Sequence, residues 1–214
     1  MRGVLTHAGS SYDCRSIEAI RAMAEQERAS VVHAAGRLRA AGHACPVVSV
    51  GSTPTGLFAD HLEGVTELRA GVYVFFDLVM AGIGVCSVDD IALSVLGTVI
   101  GHQREKGWTL LDAGWMAMSR DRGTASQPLD QGYGLICDVE GWPLQDYILV
   151  GANQEHGIVA RRPGTGPDTL DLKVGQQVRI LPNHACSTAA QYRAYQVVRG
   201  DSGVHARWER FSGW

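Results

Sequence analysis

The chain has 214 residues, which is long enough for one or two domains with a buried core. Its formal net charge is −3 with 19% charged residues, so no basic surface for nucleic acid is expected, and no apolar run is long enough to span a membrane. The five cysteines are scattered without a Cys-x-x-Cys pair and the first residues are too polar for a signal peptide, so we expect a soluble, cytoplasmic protein with reduced thiols.

The first 80 residues predict strands that alternate with a helix. Residues 3–7 and 46–50 are short apolar runs typical of buried strands, and residues 71–77 form a third such run. Between the first two runs, residues 15–41 repeat apolar side chains at three- and four-residue spacing, which predicts an amphipathic helix. Strands that alternate with a helix favour parallel βα units.

After residue 80 the pattern changes to short β-rich runs with turn residues between them. The predicted strands cover residues 91–100, 108–114, 135–139, 146–151, 157–160, 177–181 and 195–199. Residues 119–134 predict a polar loop and residues 162–168 a turn cluster. This pattern is typical of a compact antiparallel β domain. We therefore predict an α/β plus β protein with one domain over residues 1–80 and a second over residues 81–214.

A polar segment follows the second predicted strand. Gly51 lets the backbone approach a ligand closely, and the hydroxyls of Ser52 and Thr53, with successive backbone N–H groups, suit a phosphate. The alternative is an ordinary turn in which a hydroxyl caps the following helix. Tyr12, after the first strand, could contact a planar ligand or simply cover the end of the barrel.

A second candidate site follows the strand at residues 177–181. His184 and Cys186 are two residues apart, so on an extended backbone their side chains project from the same face. An imidazole and a thiolate suit zinc, and two protein ligands leave the open positions that a catalytic metal needs. The alternative is a half-buried thiol beside an incidental histidine.

Glu155 and His156 are adjacent in sequence and precede Gly157. They could support a metal from behind or act as an acid and base pair. Adjacent residues on a strand face opposite ways, so only a turn would direct both side chains to one site. Their role stays open.

An ordered set of motifs runs through essentially all 214 residues. The motifs are Thr6-His7-Ala8-Gly9, Ser11-Tyr12, residues 50–55, residues 71–75 with Asp77, residues 112–114, Asp121-Arg122-Gly123, residues 155–157 and Pro182-Asn183-His184-x-Cys186. Together they resemble the D-threonine aldolase and D-serine dehydratase family, which comprises pyridoxal-phosphate enzymes of the alanine-racemase-like fold.

The resemblance implies the C-terminal part of a (β/α)8 barrel, followed by an antiparallel β domain, in an enzyme that is usually a homodimer. It implies that residues 51–53 hold the cofactor phosphate and that Tyr12 lies against the cofactor. It also implies that His184 and Cys186 bind a divalent metal, zinc by preference and manganese otherwise, near the substrate hydroxyl.

The chemistry implied by the resemblance is a lyase reaction on a D-β-hydroxy amino acid. The cofactor ring acts as an electron sink for charge at Cα, and a metal acts as a Lewis acid on the β-hydroxyl. Some aldolases of the family carry His-x-Asp, so Cys186 favours zinc and dehydratase chemistry. Whether the substrate is D-serine or D-threonine stays open.

One departure concerns lysine. Family members hold the cofactor through a lysine on an early barrel strand, whereas this chain contains only Lys106 and Lys173, and neither follows an early buried strand. The sequence also predicts about three βα strands, where a closed barrel has about eight.

We therefore expect the C-terminal part of the enzyme, inactive on its own. The alternatives are a non-catalytic module that retains phosphate and metal binding, or one half of a split enzyme. A relative of the amino-acid racemases would need a catalytic tyrosine in the β domain, and none of the tyrosines there lies in such a motif.

Overall fold

A computed structural model describes residues 1–69, 71–166, 169–200 and 203–211. The chain divides into two compact units. The first unit comprises Met1–Phe76 and Met80–Ser87, and the second comprises Asp77–Val79 and Val88–Trp214.

The regular elements are short, apart from one long helix. The strands are β1 (Gly3–Leu5), β2 (Val47–Val50), β3 (Glu67–Leu68), β4 (Val95–Gln103), β5 (Trp108–Leu111), β6 (Gly134–Cys137), β7 (Pro143–Ala152), β8 (Gly157–Arg161), β9 (Gln177–Pro182), β10 (Ala194–Val198) and β11 (Val204–Glu209). The α-helices are α1 (Ile17–Ala40), α2 (Thr53–Phe58), α3 (Leu78–Gly82) and α4 (Ala185–Ala190). Turns of 3-10 helix cover Gly9–Asp13, Val72–Val74, Val88–Asp90 and Arg104–Lys106. Within the described ranges, no helix combines the length and apolar character needed to cross a bilayer.

The first unit is a parallel three-stranded sheet in the order β1-β2-β3, with α1 packed on it. Ser16 begins α1 as its N-cap by accepting a hydrogen bond from the amide of Ala19. The inward face of α1 then buries Val31 and Ala35 against Val48 of β2. The predictions of the helix and of the first two strands are confirmed, because the apolar spacing that defines them is local in sequence.

The prediction of a strand over residues 71–77 is wrong. Residues Val72–Val74 form a turn of 3-10 helix, and Phe76 has a φ of 52°, which no strand accommodates. The place beside β2 belongs to Glu67–Leu68, and amide hydrogen bonds from Thr66 and Arg69 to β2 extend that pairing on both sides. The apolar run at 72–76 therefore finds no strand partner in the described sheet.

The second unit is built on a closed barrel of six strands in the order β4-β5-β8-β7-β6-β9. Every neighbouring pair in the barrel is antiparallel, as predicted for this part of the chain. Its core holds Val99, Leu111, Leu149, Val159 and Ile180, all fully or almost fully buried. Closure removes the exposed strand edges that an open antiparallel sheet would leave.

Two features of the second unit differ from the sequence-based expectation. β4 begins at Val95 and ends at Gln103, several residues later than the predicted run at 91–100. A two-stranded antiparallel sheet pairs β10 with β11, a strand that the sequence did not predict. All side chains of β11 are exposed, so it lacks the inside–outside alternation by which a half-buried strand is recognised. Of the predicted turn cluster, residues 167 and 168 lie outside the described residues.

Substitution at the centre of the barrel tests its core. Ile180→Ala should lower the free energy of unfolding by about 2–5 kcal/mol, because the side chain is fully buried and its loss leaves a cavity. Leu96→Ala, in the adjacent strand at 50% exposure, should change it by less than about 0.5 kcal/mol. Guanidinium unfolding followed by tryptophan fluorescence measures both, since all five tryptophans lie in the second unit. Equal losses in the two variants would contradict this placement of the core.

Candidate active site

The predicted site residues form two groups. The residues predicted to bind the cofactor belong to the first unit, and the two predicted metal ligands belong to the second.

Gly51 and Ser52 join β2 to α2. A side chain at Gly51 would lie 2.4 Å from the carbonyl oxygen of Arg69, so only glycine fits there. Ser52 is the N-cap of α2, and its Oγ accepts a hydrogen bond from the amide of Thr55 at 3.3 Å. The capping role that the sequence left as an alternative is therefore present, and it fixes the Ser52 hydroxyl at the end of β2.

Three buried hydroxyls meet at this loop, and we call Ser11, Ser52 and Thr55 the hydroxyl cluster. Ser52 Oγ lies 2.8 Å from Thr55 Oγ1 and 3.2 Å from Ser11 Oγ. Thr53 Oγ1 lies outside the cluster and accepts a hydrogen bond from the amide of Tyr73 at 3.2 Å. The sequence placed Ser11 in a family motif but gave it no role.

A buried carboxylate orders the same loop. Glu27 projects from α1 and is only 6% exposed. Its Oε1 accepts a hydrogen bond from the amide of Gly51 at 3.1 Å, and its Oε2 accepts one from Thr55 Oγ1 at 2.7 Å. The sequence analysis missed this residue. The signal was a charged side chain at a position where the apolar spacing of α1 expects a core residue, between Ala24 and Val31.

Tyr12 lies beside His7, with ring centroids 6.1 Å apart and a tilt of 35°. His7 Nδ1 in turn lies 2.5 Å from the carbonyl oxygen of Gly51. The first unit thus brings the turn that carries Tyr12 together with the loop of residues 51–53. Binding of a cofactor by Tyr12 and residues 51–53 stays a prediction.

The extended backbone that the sequence predicted for His184 and Cys186 is wrong, and the binding of a metal by these two residues stays a prediction. His184 is extended but is the N-cap residue of α4, and Cys186 already lies in the first turn of that helix. The strand ends at Pro182, so the alternation of a strand does not reach Cys186. The Cys186 thiol nevertheless lies near enough to the imidazole to raise its pKa.

His184 is held from its other side by a carboxylate. Its Nδ1 lies 2.6 Å from Oδ2 of Asp121. The hydroxyl of Ser187 donates to the same oxygen at 2.7 Å and lies 2.9 Å from Nδ1. Since a carboxylate only accepts, Nδ1 carries the proton, and Nε2 is the nitrogen left for another ligand.

The charges of this group reinforce one another. Contact with Cys186, and then with Asp121, raises the pKa of His184 to about 9 against the opposing effect of burial. Burial alone would raise the pKa of Asp121, but hydrogen bonds from Ser187 and His184 outweigh it and lower that pKa. Both shifts favour a charged imidazole beside a charged carboxylate.

The side chain of Asn183 fixes the polar loop of residues 119–134 next to His184. This amide is 2% exposed. Its Nδ2 donates to the carbonyl oxygens of Gly132 at 2.6 Å and Asp121 at 3.1 Å, and its Oδ1 accepts from the hydroxyl of Thr124 at 3.0 Å. Asn183, which precedes His184, therefore fixes the segment that supplies the Asp121 carboxylate.

Asp77 holds the start of α4. It is 2% exposed, and its Oδ2 accepts a hydrogen bond from the amide of Ala185 at 2.9 Å. The first amides of a helix have no partner in the helix itself, so this contact fixes the backbone between His184 and Cys186.

Glu155 and His156 lie in the turn between β7 and β8, where the sequence required a turn if both were to act together. Their hydrogen bonds are made within that turn. His156 Nε2 lies 3.0 Å from the side-chain nitrogen of Asn153, and Glu155 accepts from the side chain of Gln154 at 3.2 Å. These contacts shape the turn, and the role of the two residues stays open.

Across the described part of the chain, no group of three or more His, Cys, Asp or Glu side chains has the arrangement of a metal site. Metal binding by His184 and Cys186 stays a prediction from the sequence.

Residues 92–198 match the family model described as "Putative serine dehydratase domain". The chain belongs to this serine dehydratase family. The match covers half of the chain and includes both His184 and Cys186. It confirms the family resemblance that the motifs indicated.

Curated relatives extend over nearly all of the chain. D-threo-3-hydroxyaspartate dehydratase of Delftia sp. (strain HT23) is 61% identical over 214 residues, which is 99% of this chain and 56% of the relative. D-serine dehydratase of Dictyostelium discoideum is 29% identical over 95% of this chain and 52% of the relative. The chain thus spans about half the length of these relatives.

Solved structures agree with this relationship. The Delftia dehydratase matches with a TM-score of 0.91 and 60% identity over 100% of this chain and 57% of that chain. Its other structures include a histidine-to-alanine variant and a cysteine-to-alanine variant in the metal-free form. An alanine-racemase-like protein from Idiomarina loihiensis matches with a TM-score of 0.89 and 46% identity over 100% of this chain and 56% of that chain.

Removal of the buried carboxylate tests the order of the loop at residues 51–53. Glu27→Ala should destabilise the first unit by about 1–3 kcal/mol, because it leaves the amide of Gly51 and the hydroxyl of Thr55 buried without their acceptor. Hydrogen–deuterium exchange should accelerate in peptides that cover this loop. Gln26→Ala, an exposed neighbour on the same helix, serves as the control and should leave exchange unchanged. Equal exchange in the two variants would contradict the role of Glu27.

Proposed function

We propose that this chain supplies part of the active site of a lyase that depends on pyridoxal phosphate and a divalent metal and acts on D-β-hydroxy amino acids. The observation that carries the proposal is the His184–Cys186 pair, with Nδ1 of the histidine held by Asp121, in a chain of the serine dehydratase family. The 61% identity to a D-threo-3-hydroxyaspartate dehydratase favours dehydration over aldol cleavage.

The donor set fits a metal. Imidazole and thiolate together suit zinc, with manganese as the alternative, and a carboxylate on the second ring nitrogen is the usual support of a metal-binding histidine. The Delftia enzyme offers independent support. Its two alanine variants replace a histidine and a cysteine two positions apart, the spacing of His184 and Cys186, and the cysteine variant is in a metal-free form.

The loop at residues 51–53 fits a phosphate, with one change from the expectation. Glu27 already accepts from the amide of Gly51, so Gly51 would serve by its close packing. Contact with the phosphate would then fall to the amides of Ser52 and Thr53 and to the protons of their hydroxyls, whose oxygens already accept from the amides of Thr55 and Tyr73. The cofactor, once bound, would supply the electron sink for charge at Cα of the substrate. Tyr12 would limit the movement of its ring.

The two lysines of this chain have other surroundings. Lys106 lies in the turn Arg104–Lys106, with Nζ 4.6 Å from the centre of the Trp108 ring, and Lys173 lies in a loop before β9. We propose that the cofactor-holding lysine comes from a segment outside these 214 residues, and that the complete enzyme is a homodimer.

The position of the lysines also favours a second candidate function. A module that binds phosphate and metal without catalysis would need neither lysine. The two candidates differ in what happens when the missing segment is supplied, because only the enzyme would then gain turnover.

Trapping with borohydride tests the source of the lysine. After incubation of the 214-residue protein with one equivalent of pyridoxal phosphate and reduction with borohydride, Lys106 and Lys173 should remain unmodified. Peptide mass spectrometry measures this. A pyridoxyl group on either lysine would contradict an external lysine.

Joining this chain to the N-terminal half of the Delftia dehydratase tests the activity. We expect oxaloacetate and ammonia from D-threo-3-hydroxyaspartate, or pyruvate and ammonia from D-serine, with loss of activity in a chelator and recovery with zinc or manganese. Cys186→Ala should abolish the activity, whereas Cys14→Ala in the first unit should not. Glycine and an aldehyde as the products would instead identify an aldolase. No turnover on any of these substrates would favour the non-catalytic module.

A further inference from the structure

We infer that Asp121 is the positioning residue for His184, and that Ser187 fixes the Asp121 carboxylate for this role. Asp121 and Ser187 would hold the imidazole by Nδ1, so that Nε2 is the nitrogen left for a metal that Cys186 also binds. This inference rests on the proposed metal-binding function of His184 and Cys186.

Two hydrogen bonds to the Asp121 carboxylate share one oxygen. Oδ2 receives His184 Nδ1 at 2.6 Å and Ser187 Oγ at 2.7 Å, and the two donors lie 2.9 Å from each other. Two donors on one carboxylate oxygen define its position better than either alone, and bonds to a charged acceptor are stronger than neutral ones. The imidazole is therefore held in one orientation, with a proton on Nδ1.

The backbone around His184 is fixed on both sides by other groups. Asn183, the preceding residue, is held by the carbonyls of Gly132 and Asp121, and the amide of Ala185, the following residue, is held by Asp77. These contacts fix the main chain but leave the torsions of the histidine side chain free. Asp121 Oδ2 contacts the ring itself, together with the Ser187 hydroxyl that donates to the same oxygen, and so acts on those torsions.

Asp121 is itself anchored before it contacts the histidine. Its carbonyl oxygen accepts from Asn183, and its amide donates to the hydroxyl of Ser119 at 3.2 Å. The carboxylate thus comes from a fixed backbone, which is what a positioning residue requires. An exposed ion pair without such anchors would contribute little.

Cobalt(II) binding tests the inference with a readout other than activity. The absorption band of thiolate bound to cobalt(II) reports coordination by Cys186 and gives a dissociation constant. Asp121→Ala should weaken binding by about 10–100-fold, the usual effect of losing the partner of a metal-binding histidine. Asp121→Asn, which keeps a neutral acceptor, should weaken it less, and Ser187→Ala should show an intermediate loss. Asp171→Ala removes one negative charge from an 88% exposed side chain of the same unit and serves as the control.

The outcomes separate this inference from the function on which it rests. Equal affinity of the wild type, His184→Ala and Cys186→Ala would overturn the metal-binding function. Tight binding by the wild type, with equally tight binding by Asp121→Ala, would overturn the positioning role alone. Nitrogen-15 NMR of the His184 ring tests positioning without metal, at a pH where the ring is neutral. The wild type should protonate Nδ1 and Asp121→Ala should show both tautomers, whereas a wild-type ring protonated on Nε2 would overturn the inference.

Discussion

The arrangement around His184 and Cys186 depends on the side chain of Asn183. A buried amide must satisfy its donors and its acceptor, because an unpaired polar group in the interior costs about 1–3 kcal/mol. Asn183 does so with groups from a single loop, at Asp121, Thr124 and Gly132. The loop therefore has one favourable position relative to the start of α4. In that position Asp121 contacts His184, the residue that follows Asn183. A structural requirement of the interior thus sets the geometry of an exposed functional group.

A comparable principle applies in the first unit, with different chemistry. Glu27 is a carboxylate in the interior, where a charge is tolerated only if hydrogen bonds compensate its lost hydration. Those bonds come from the amide of Gly51 and the hydroxyl of Thr55, so the carboxylate fixes the loop that joins β2 to α2. In both units a buried polar side chain fixes a loop, and the exposed or ligand-facing groups follow from it. The stability of each site then depends on the polar interior as much as on the apolar core.

The sequence predicted those parts of the molecule that depend on local spacing. α1 and β2 follow from their apolar periodicity, and Ser52 was recognised as a possible cap because capping involves residues three apart. The prediction of a strand at 71–77 was wrong because two segments could pair with the edge of β2. The segment that does pair, Glu67–Leu68, has the weaker strand pattern in its own sequence. Such competition is settled by tertiary packing and leaves no trace in either segment alone.

The site shows the same division between local and distant information. His184 and Cys186 were found from their spacing, although the helix that begins at Ala185 makes the assumed extended backbone wrong for them. Asp121 pairs with His184 across 63 residues, and Glu27 with Gly51 across 24. No role could be assigned to Asp121 or Glu27 from the sequence, because the partner of a carboxylate is known only once the chain has folded.

The contact between His184 and Asp121 is exposed to solvent, and this explains why the buried contacts around it matter. The side chains of His184 and Asp121 are 44% and 46% exposed, so their attraction is weakened by water and an isolated pair of this kind contributes about 0–1 kcal/mol. Such a contact orients the imidazole only if the backbones of both residues are held in place. Groups that do not face solvent hold them: Asn183 fixes the loop that carries Asp121, and Asp77 accepts from the first amide of α4. The exposed side of His184 then stays open, because the contacts that fix the backbone lie on the buried side.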